Sequence, residues 1–490
     1  MDSHLDKLSL DIDSAIELED ISELNKLIDR CDKLLENEES KKRSIIFFLK
    51  ANCYSSTART ESDSSDYMWS WQQSEKIQEI LSLRKAVAEP EFSYLDPIFQ
   101  CKILTNLGNS LNQFGRFIAA IEVWDAALSL APNFAMALGN KGVGLTHYAR
   151  SLYDYSHAGI LVAHAVDDLR AAISEDAVWD SGLHPEAAEY FRDNFNNSQS
   201  YLENIDYDFE FDFNQWPMGE SKKEVTYRTW CLANNLFLSP LNDVCREPVS
   251  AQDVLHLPSH TYMMNEEPRF PNYYNILKQE YVTARFMLFE SLGYENEHIS
   301  DKDVLLLDGF DGVQFGYRRE QLKTAYRLAY SLFDKIALFL NDYYEVGLKI
   351  NSVNFRSIWG KTKKNKKFVL HPCFEESKNW PLRGLYYLSK DLFDVDFVDV
   401  ALPEAKELAG LRNRTEHRYL SLQDYAASVK STDIHLYITI DDFQQKTLRI
   451  IKMAREALVY LSLAMHREEE IRDSEHDKLS LPIQSVPIGS

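Results

Sequence analysis

The sequence predicts an all-α protein, with a solenoid of helical repeats in front and an antiparallel bundle of four or five helices behind. Three observations carry this. Apolar residues recur at helical spacing through most of the chain. One frame of about 34 residues has the pattern of two paired antiparallel helices. Four amphipathic stripes follow a proline-punctuated stretch near the middle of the chain.

Ile16, Leu18, Ile21, Leu24, Leu27, Ile28, Cys31, Leu34 and Leu35 open the helical pattern. A Ser-, Thr- and acid-rich segment at residues 55–66 predicts a break, and helical spacing resumes around Trp69–Val87. Between Cys101 and Asn133, residues Leu104, Leu107, Gly108, Leu111, Phe114, Gly115, Ala120, Trp124, Ala127 and Pro132 match the tetratricopeptide pattern. Small residues stand where the helices touch, and a proline closes the frame. Leu138, Gly142 and Leu145 begin the next repeat in phase, with an interruption expected over Tyr153–Gly159. The repeat domain is placed at residues 1–200 and an irregular connector at 201–270, where Pro217, Pro240, Pro248, Pro258 and Pro268 flank a short helix from Lys222. The bundle, 271–472, takes helices at Tyr273–Leu292, Arg319–Tyr344, Leu382–Phe393 and Asp441–Glu470, and a loose tail follows at 473–490.

Composition narrows the function. Of 490 residues, 45% are hydrophobic and 12% aromatic, which supports packed cores, while a formal charge of −23 excludes a protein that coats nucleic acid nonspecifically. Any nucleic-acid contact has to use a local basic patch. Six scattered cysteines without a C-x-x-C pair predict reduced thiols in a cytoplasmic protein, with no disulfide framework, metal site or cofactor. The polar, acidic N-terminus is not the pattern of a signal peptide, and no apolar run approaches the length of a membrane span.

The densest chemistry lies in Leu411-Arg412-Asn413-Arg414-Thr415-Glu416-His417-Arg418-Tyr419. Arg412 is a permanently charged fork that suits a phosphate. His417 can move protons near neutral pH, and Asn413 can orient either partner. Together they can act on a phosphodiester without a metal. The spacing R-x4-H arises about once by chance in such a chain, and the added Asn lowers that to about 0.03. Five residues apart on a regular helix, Arg412 and His417 stand about 140° from each other beyond a full turn. Two arrangements therefore stay open: a loop-to-helix junction after Gly410, or two motif copies meeting around one phosphate in a symmetric dimer. The plain structural alternative is an exposed helix start with ion pairs from Arg412 or Arg414 to Glu416. Arg150 and His157, at R-x6-H, belong to ordinary repeat packing.

The bundle and its Leu411–Tyr419 motif resemble a HEPN domain, the helical module of many prokaryotic toxin and defence ribonucleases. Phe333–Ala337, Leu382–Phe393 and Ala457–Ala464 are similar to HEPN proteins that carry tetratricopeptide repeats in front. The resemblance implies a metal-independent endoribonuclease, in which the RNA 2′-hydroxyl attacks its own phosphate to leave a 2′,3′-cyclic phosphate and a 5′-hydroxyl. Arg412, Asn413 and His417 would be its catalytic residues. It further implies a cytoplasmic homodimer that acts as a toxin or antiviral effector, with tRNA or mRNA as its target. The repeats themselves offer either a concave groove for a protein or peptide partner or a scaffold for packing or dimerisation. The alternative is a noncatalytic scaffold binding protein partners and RNA or nucleotide.

Arg414 and Arg418 join the motif as RNA-binding candidates. So do Lys363, Lys364, Lys366 and Lys367 of a lysine run that is equally a solvated loop. Gly360-Lys361-Thr362 mimics the end of a phosphate-binding loop, but Phe355 occupies the required upstream glycine position. His256 and His260 have helical metal spacing that Pro258 breaks, and Asp308 with Asp311 reads as a turn.

Overall fold

The computed structural model describes residues 3–36, 42–61, 69–180, 184–207, 212–258, 268–293, 298–307, 309–363, 368–393, 411, 418–425 and 431–475. Among the described residues, the chain is all-α apart from two short strand pairs. It divides into two compact units, one of Met1–Phe209 with Glu375–Tyr387 and one of Glu210–Phe374 with Leu388–Ser490.

The first unit is built from α1 (Ser3–Glu17), α2 (Ile21–Leu35), α3 (Arg43–Glu61), α4 (Ser74–Ala88), α5 (Pro97–Gln113), α6 (Phe117–Leu130), α7 (Ala135–Ala149), α8 (Tyr155–Ala172) and α9 (Pro185–Asn204). Leu8, Ile12, Leu24, Leu27, Cys31 and Ile46 form the core of the first three helices. Asp20 starts α2 by accepting the Glu23 amide. The break expected from residue 55 does not occur there. Helix α3 continues to Glu61, and the Thr57 hydroxyl returns to the Cys53 carbonyl, so that the polar side chain is satisfied inside the helix. Likewise α8 begins at Tyr155, inside the expected interruption, because Asp154 accepts the Ser156 and His157 amides.

Trp124 shows why the small residues recur. A Cβ on Gly108 would lie 2.4 Å from its indole nitrogen, and one on Gly144 would lie 2.6 Å from its ring. Helices α5 and α7 therefore close on α6 from two sides. Gly115 ends α5 with φ +80°, a left-handed conformation that favours glycine.

The stretch 375–387 completes this unit. The Trp380 indole donates to the Asn112 carbonyl at 2.9 Å, the Tyr387 hydroxyl to the Trp71 carbonyl at 2.8 Å, and the Trp71 indole to the Ser377 carbonyl at 3.0 Å. Arg383 is buried over the Trp69 and Phe114 rings and donates to the Gln113 carbonyl, and burial pushes its guanidinium down to about 10. Gly384 rests on Gly115 so closely that a Cβ there would lie 2.1 Å from the Gly115 carbonyl oxygen. Since backbone cannot move aside as a side-chain tip can, Gly384→Ala is expected to destabilise the protein by about 1–3 kcal/mol through overpacking. An unchanged thermal unfolding curve for that variant would refute the contact.

The second unit contains α10 (Lys222–Ala233), α11 (Arg269–Ser291), α12 (Tyr317–Tyr343), β1 (Gly360–Thr362), β2 (Phe368–Leu370), the short α13 (Pro372–Glu375) and α14 (Trp380–Phe393), whose residues from Leu388 belong here. It ends with β3 (Tyr419–Gln423), β4 (His435–Thr439) and α15 (Ile440–Glu475). The predicted stripe of α12 is buried throughout, from Leu322 and Tyr326 to Phe333, Ile336 and Leu340. Helix α15 is buried on all sides over Met453–Met465, as befits a helix surrounded by others.

The described part of the expected connector, 212–258, packs as part of this unit. Two buried arginines hold it. Arg285 reaches both oxygens of Asp253 at 2.8 and 2.7 Å, the Leu236 carbonyl and the Tyr227 hydroxyl. Arg455 reaches the Asp243 carboxylate and the carbonyls of Phe237 and Ser239. Burial pushes the Asp253 carboxyl up, and the Arg285 charge outweighs it to hold the group below the ordinary carboxylate range.

Candidate functional site

Strands β3 and β4 frame the part of the motif that the structure describes. Along Tyr419-Leu420-Ser421-Leu422-Gln423, side chains alternate between two faces. Leu420 and Leu422 are buried, while Tyr419 is 69% exposed. Strand β4 runs parallel to β3, with Tyr419 opposite His435 and Ser421 opposite Tyr437, so these four side chains share the outer face. The Ser421 hydroxyl and His435 Nε2 lie 2.8 Å apart and form a hydrogen bond whose direction follows the tautomer. The rings of His435 and Tyr437 stack at 4.2 Å, and Tyr419 meets His435 edge to face at 6.0 Å. On the other side of β3, Gln314 donates its amide to the Leu422 carbonyl and Asp424 donates its amide to the Gly312 carbonyl.

Of the motif itself, Leu411 is buried and Arg418 is exposed, its guanidinium donating to the Asp433 carbonyl at 2.7 Å. Arg412, Asn413, Arg414 and His417 lie outside the described residues, as do Lys364, Lys366 and Lys367. Lys363 is exposed directly after β1, which pairs antiparallel with β2. Burial, and after it the charge of Lys361, push the His371 imidazole below its ordinary value.

The remaining candidates separate cleanly. Gly360-Lys361-Thr362 is a strand with buried Phe355 upstream, which is not the loop-to-helix geometry of a phosphate cradle. Asp311 accepts the Val313 amide in a turn, while Asp308 and His260 lie outside the described residues. Among the described residues, no group of three or more His, Cys, Asp and Glu could hold a metal ion. Burial pushes the thiols of Cys31 and Cys245 up to about 11 and those of Cys53 and Cys231 up to about 12, which makes them poor nucleophiles at neutral pH. His157, part of the R-x6-H pair, is held below its ordinary value by burial.

A concavity of about 670 Å³ lies between α11 and α12, lined by Tyr273, Ile276, Leu277, Leu338, Phe339 and Ile350. Its two cations already have acidic partners, Arg269 with Asp342 and Lys335 with Glu280. That neutralisation makes it a poor phosphate site, which weighs against nucleotide binding there.

The outer-face aromatics of β3 and β4 were missed by helix-centred reading, although the alternation Tyr-Leu-Ser-Leu-Gln and His-Leu-Tyr-Ile-Thr carries the signal. Among the described residues, no helix is long and apolar enough to cross a membrane.

Residues 261–468 match the family model described as LA2681-like HEPN. The match covers the bundle and the whole Arg412–His417 motif, supports the HEPN assignment over that stretch, and does not extend to the helical repeats. Comparison with curated proteins and with solved structures gives no match.

Proposed function

We propose that the protein is a metal-independent endoribonuclease whose catalytic residues are Arg412, Asn413 and His417. The observation that carries this is the HEPN match, in which a motif able to bind and protonate a phosphodiester stands inside a helical domain of a kind commonly found in ribonucleases. In the reaction, the 2′-oxygen of a ribose forms a bond to the adjacent phosphorus as its proton leaves to a base. The bond from phosphorus to the 5′-oxygen breaks, and that oxygen takes a proton from an acid. The products are a 2′,3′-cyclic phosphate and a 5′-hydroxyl. His417 serves as one member of the acid–base pair. Arg412 neutralises the charge that builds on the phosphoryl oxygens, and Asn413 holds the geometry. A homodimer would supply a second copy of the motif to the same phosphate.

RNA reaches this site through local charge. Arg414, Arg418 and the lysines Lys363, Lys364, Lys366 and Lys367 stand against a chain of formal charge −23, so encounter depends on these basic segments alone. The helical repeats, tetratricopeptide-like in their packing, would take a protein or peptide partner that controls cleavage of tRNA or mRNA in a toxin or antiviral role. Incubation of the purified protein with total cellular RNA in EDTA tests the reading. Fragments ending in 2′,3′-cyclic phosphate are expected. Cleavage that requires a divalent ion, or leaves other ends, would sink the mechanism, and intact RNA would favour the noncatalytic scaffold.

A further inference from the structure

We infer that the outer face of the β3–β4 pair, with the exposed Tyr419 at its edge and the His435–Tyr437 stack as its wall, is a platform on which an unpaired nucleobase of the RNA strand stacks. This rests on the endoribonuclease reading and names its substrate as single-stranded RNA. Three observations lead to it. First, the strand pair buries Leu420 and Leu422 on one face and places Tyr419, exposed, with the half-buried rings of His435 and Tyr437 on the other. A tyrosine 69% exposed beside the buried Leu420 contributes its ring to solvent and not to the core. Second, the Ser421–His435 bond at 2.8 Å fixes the imidazole plane against Tyr437 at 4.2 Å, so the wall is pre-oriented before any base arrives. Third, the platform adjoins the motif in sequence. Tyr419 follows His417 by two residues, and two residues of chain reach no farther than about 7 Å.

Charge identifies the occupant. Leu411–Tyr419 contains three arginines and one glutamate, a positive segment in a chain of formal charge −23. Arg418 is exposed beside the platform, where a guanidinium can meet the phosphate on either side of a stacked base. A strongly acidic protein gains little affinity from counterion release overall. Stacking supplies affinity that does not depend on net charge, since every base has a π-face, and it requires the base to be out of a duplex.

The test is binding of a fluorescent, 2′-O-methylated oligonucleotide, which cannot be cut by attack of its own 2′-oxygen, to the full chain. The strand is offered alone and annealed to its complement. Wild type is expected to prefer the single strand. Tyr419→Ala should weaken binding about tenfold or more, and Tyr419→Phe, which keeps the ring, should stay near wild type. Tyr94→Ala, at a tyrosine 88% exposed in the first unit, serves as the control and should bind as wild type does. Thermal unfolding of each variant checks the fold. Equal binding by Tyr419→Ala, equal affinity for strand and duplex, or no binding by wild type would each overturn the platform. Cleavable RNA run in parallel separates the two ideas. RNA cut with unchanged KM in Tyr419→Ala removes the platform and leaves the enzyme. Ring-dependent binding without cleavage leaves the platform and removes the enzyme.

Discussion

Replacing His417 by alanine is expected to lower the rate of RNA cleavage in EDTA by about 10²-fold or more, with thermal unfolding unchanged. A positioned acid or base contributes that much because its proton moves in the transition state, and solvent replaces it poorly. Arg412→Ala is expected to cost a comparable factor, since a preorganised cation aimed at developing charge is worth about 10²–10³ in rate. Arg412→Lys retains charge but loses the planar fork, so its rate should fall between the two. These variants discriminate well because an exposed helix start with simple ion pairs predicts almost no effect on stability and none on cleavage. Cleavage by His417→Ala at the wild-type rate would remove the motif from the chemistry. Activity that falls only in step with a falling melting temperature would make it structural.

The largest stability effect is expected at Arg455→Ala, about 3–5 kcal/mol. Both side chains of the Arg455–Asp243 pair are 2% exposed, and the guanidinium also satisfies the carbonyls of Phe237 and Ser239. The alanine variant removes the buried guanidinium that faces the Asp243 carboxylate and that donates to the Phe237 and Ser239 carbonyls. Breaking one side of such a pair therefore costs far more than the intact pair contributes. The double variant Asp243→Leu with Arg455→Met removes both buried charges and should recover much of the loss. Chemical denaturation of the full chain followed by tryptophan fluorescence reads both. A loss below about 1 kcal/mol in Arg455→Ala would mean the carboxylate finds water or another partner.

The long helices were legible because their apolar stripes have a period that only a helix satisfies, as with Leu322 to Leu340 of α12. The Trp124 packing was legible too, since Gly108 and Trp124 stand in one repeat frame. The content of 212–258 was not. Its prolines mark turns, but Asp243 and Asp253 are partnered by Arg455 and Arg285, which lie 212 and 32 residues away in sequence. No local pattern reports pairs of that kind. Strands β3 and β4 were hidden by brevity, since five residues with alternating faces give little signal beside helices many turns long. The motif's residue types and spacing were open to reading, whereas its arrangement depends on three-dimensional neighbours that spacing does not specify.

Helix α14 has a consequence for how such a chain can change over generations. Its first residues, with Trp380, Arg383 and Gly384, finish the repeat unit, while those from Leu388 onward belong to the bundle. A gene fragment ending near residue 209 would encode helices whose closing piece is written far downstream. Trp71 and Phe114 would then lose the Tyr387 contacts that cover them. The first unit thus cannot be traded as a self-contained cassette. Recombination that swaps the front of the gene must also bring a matching 375–387 segment, which ties the inheritance of the two halves together.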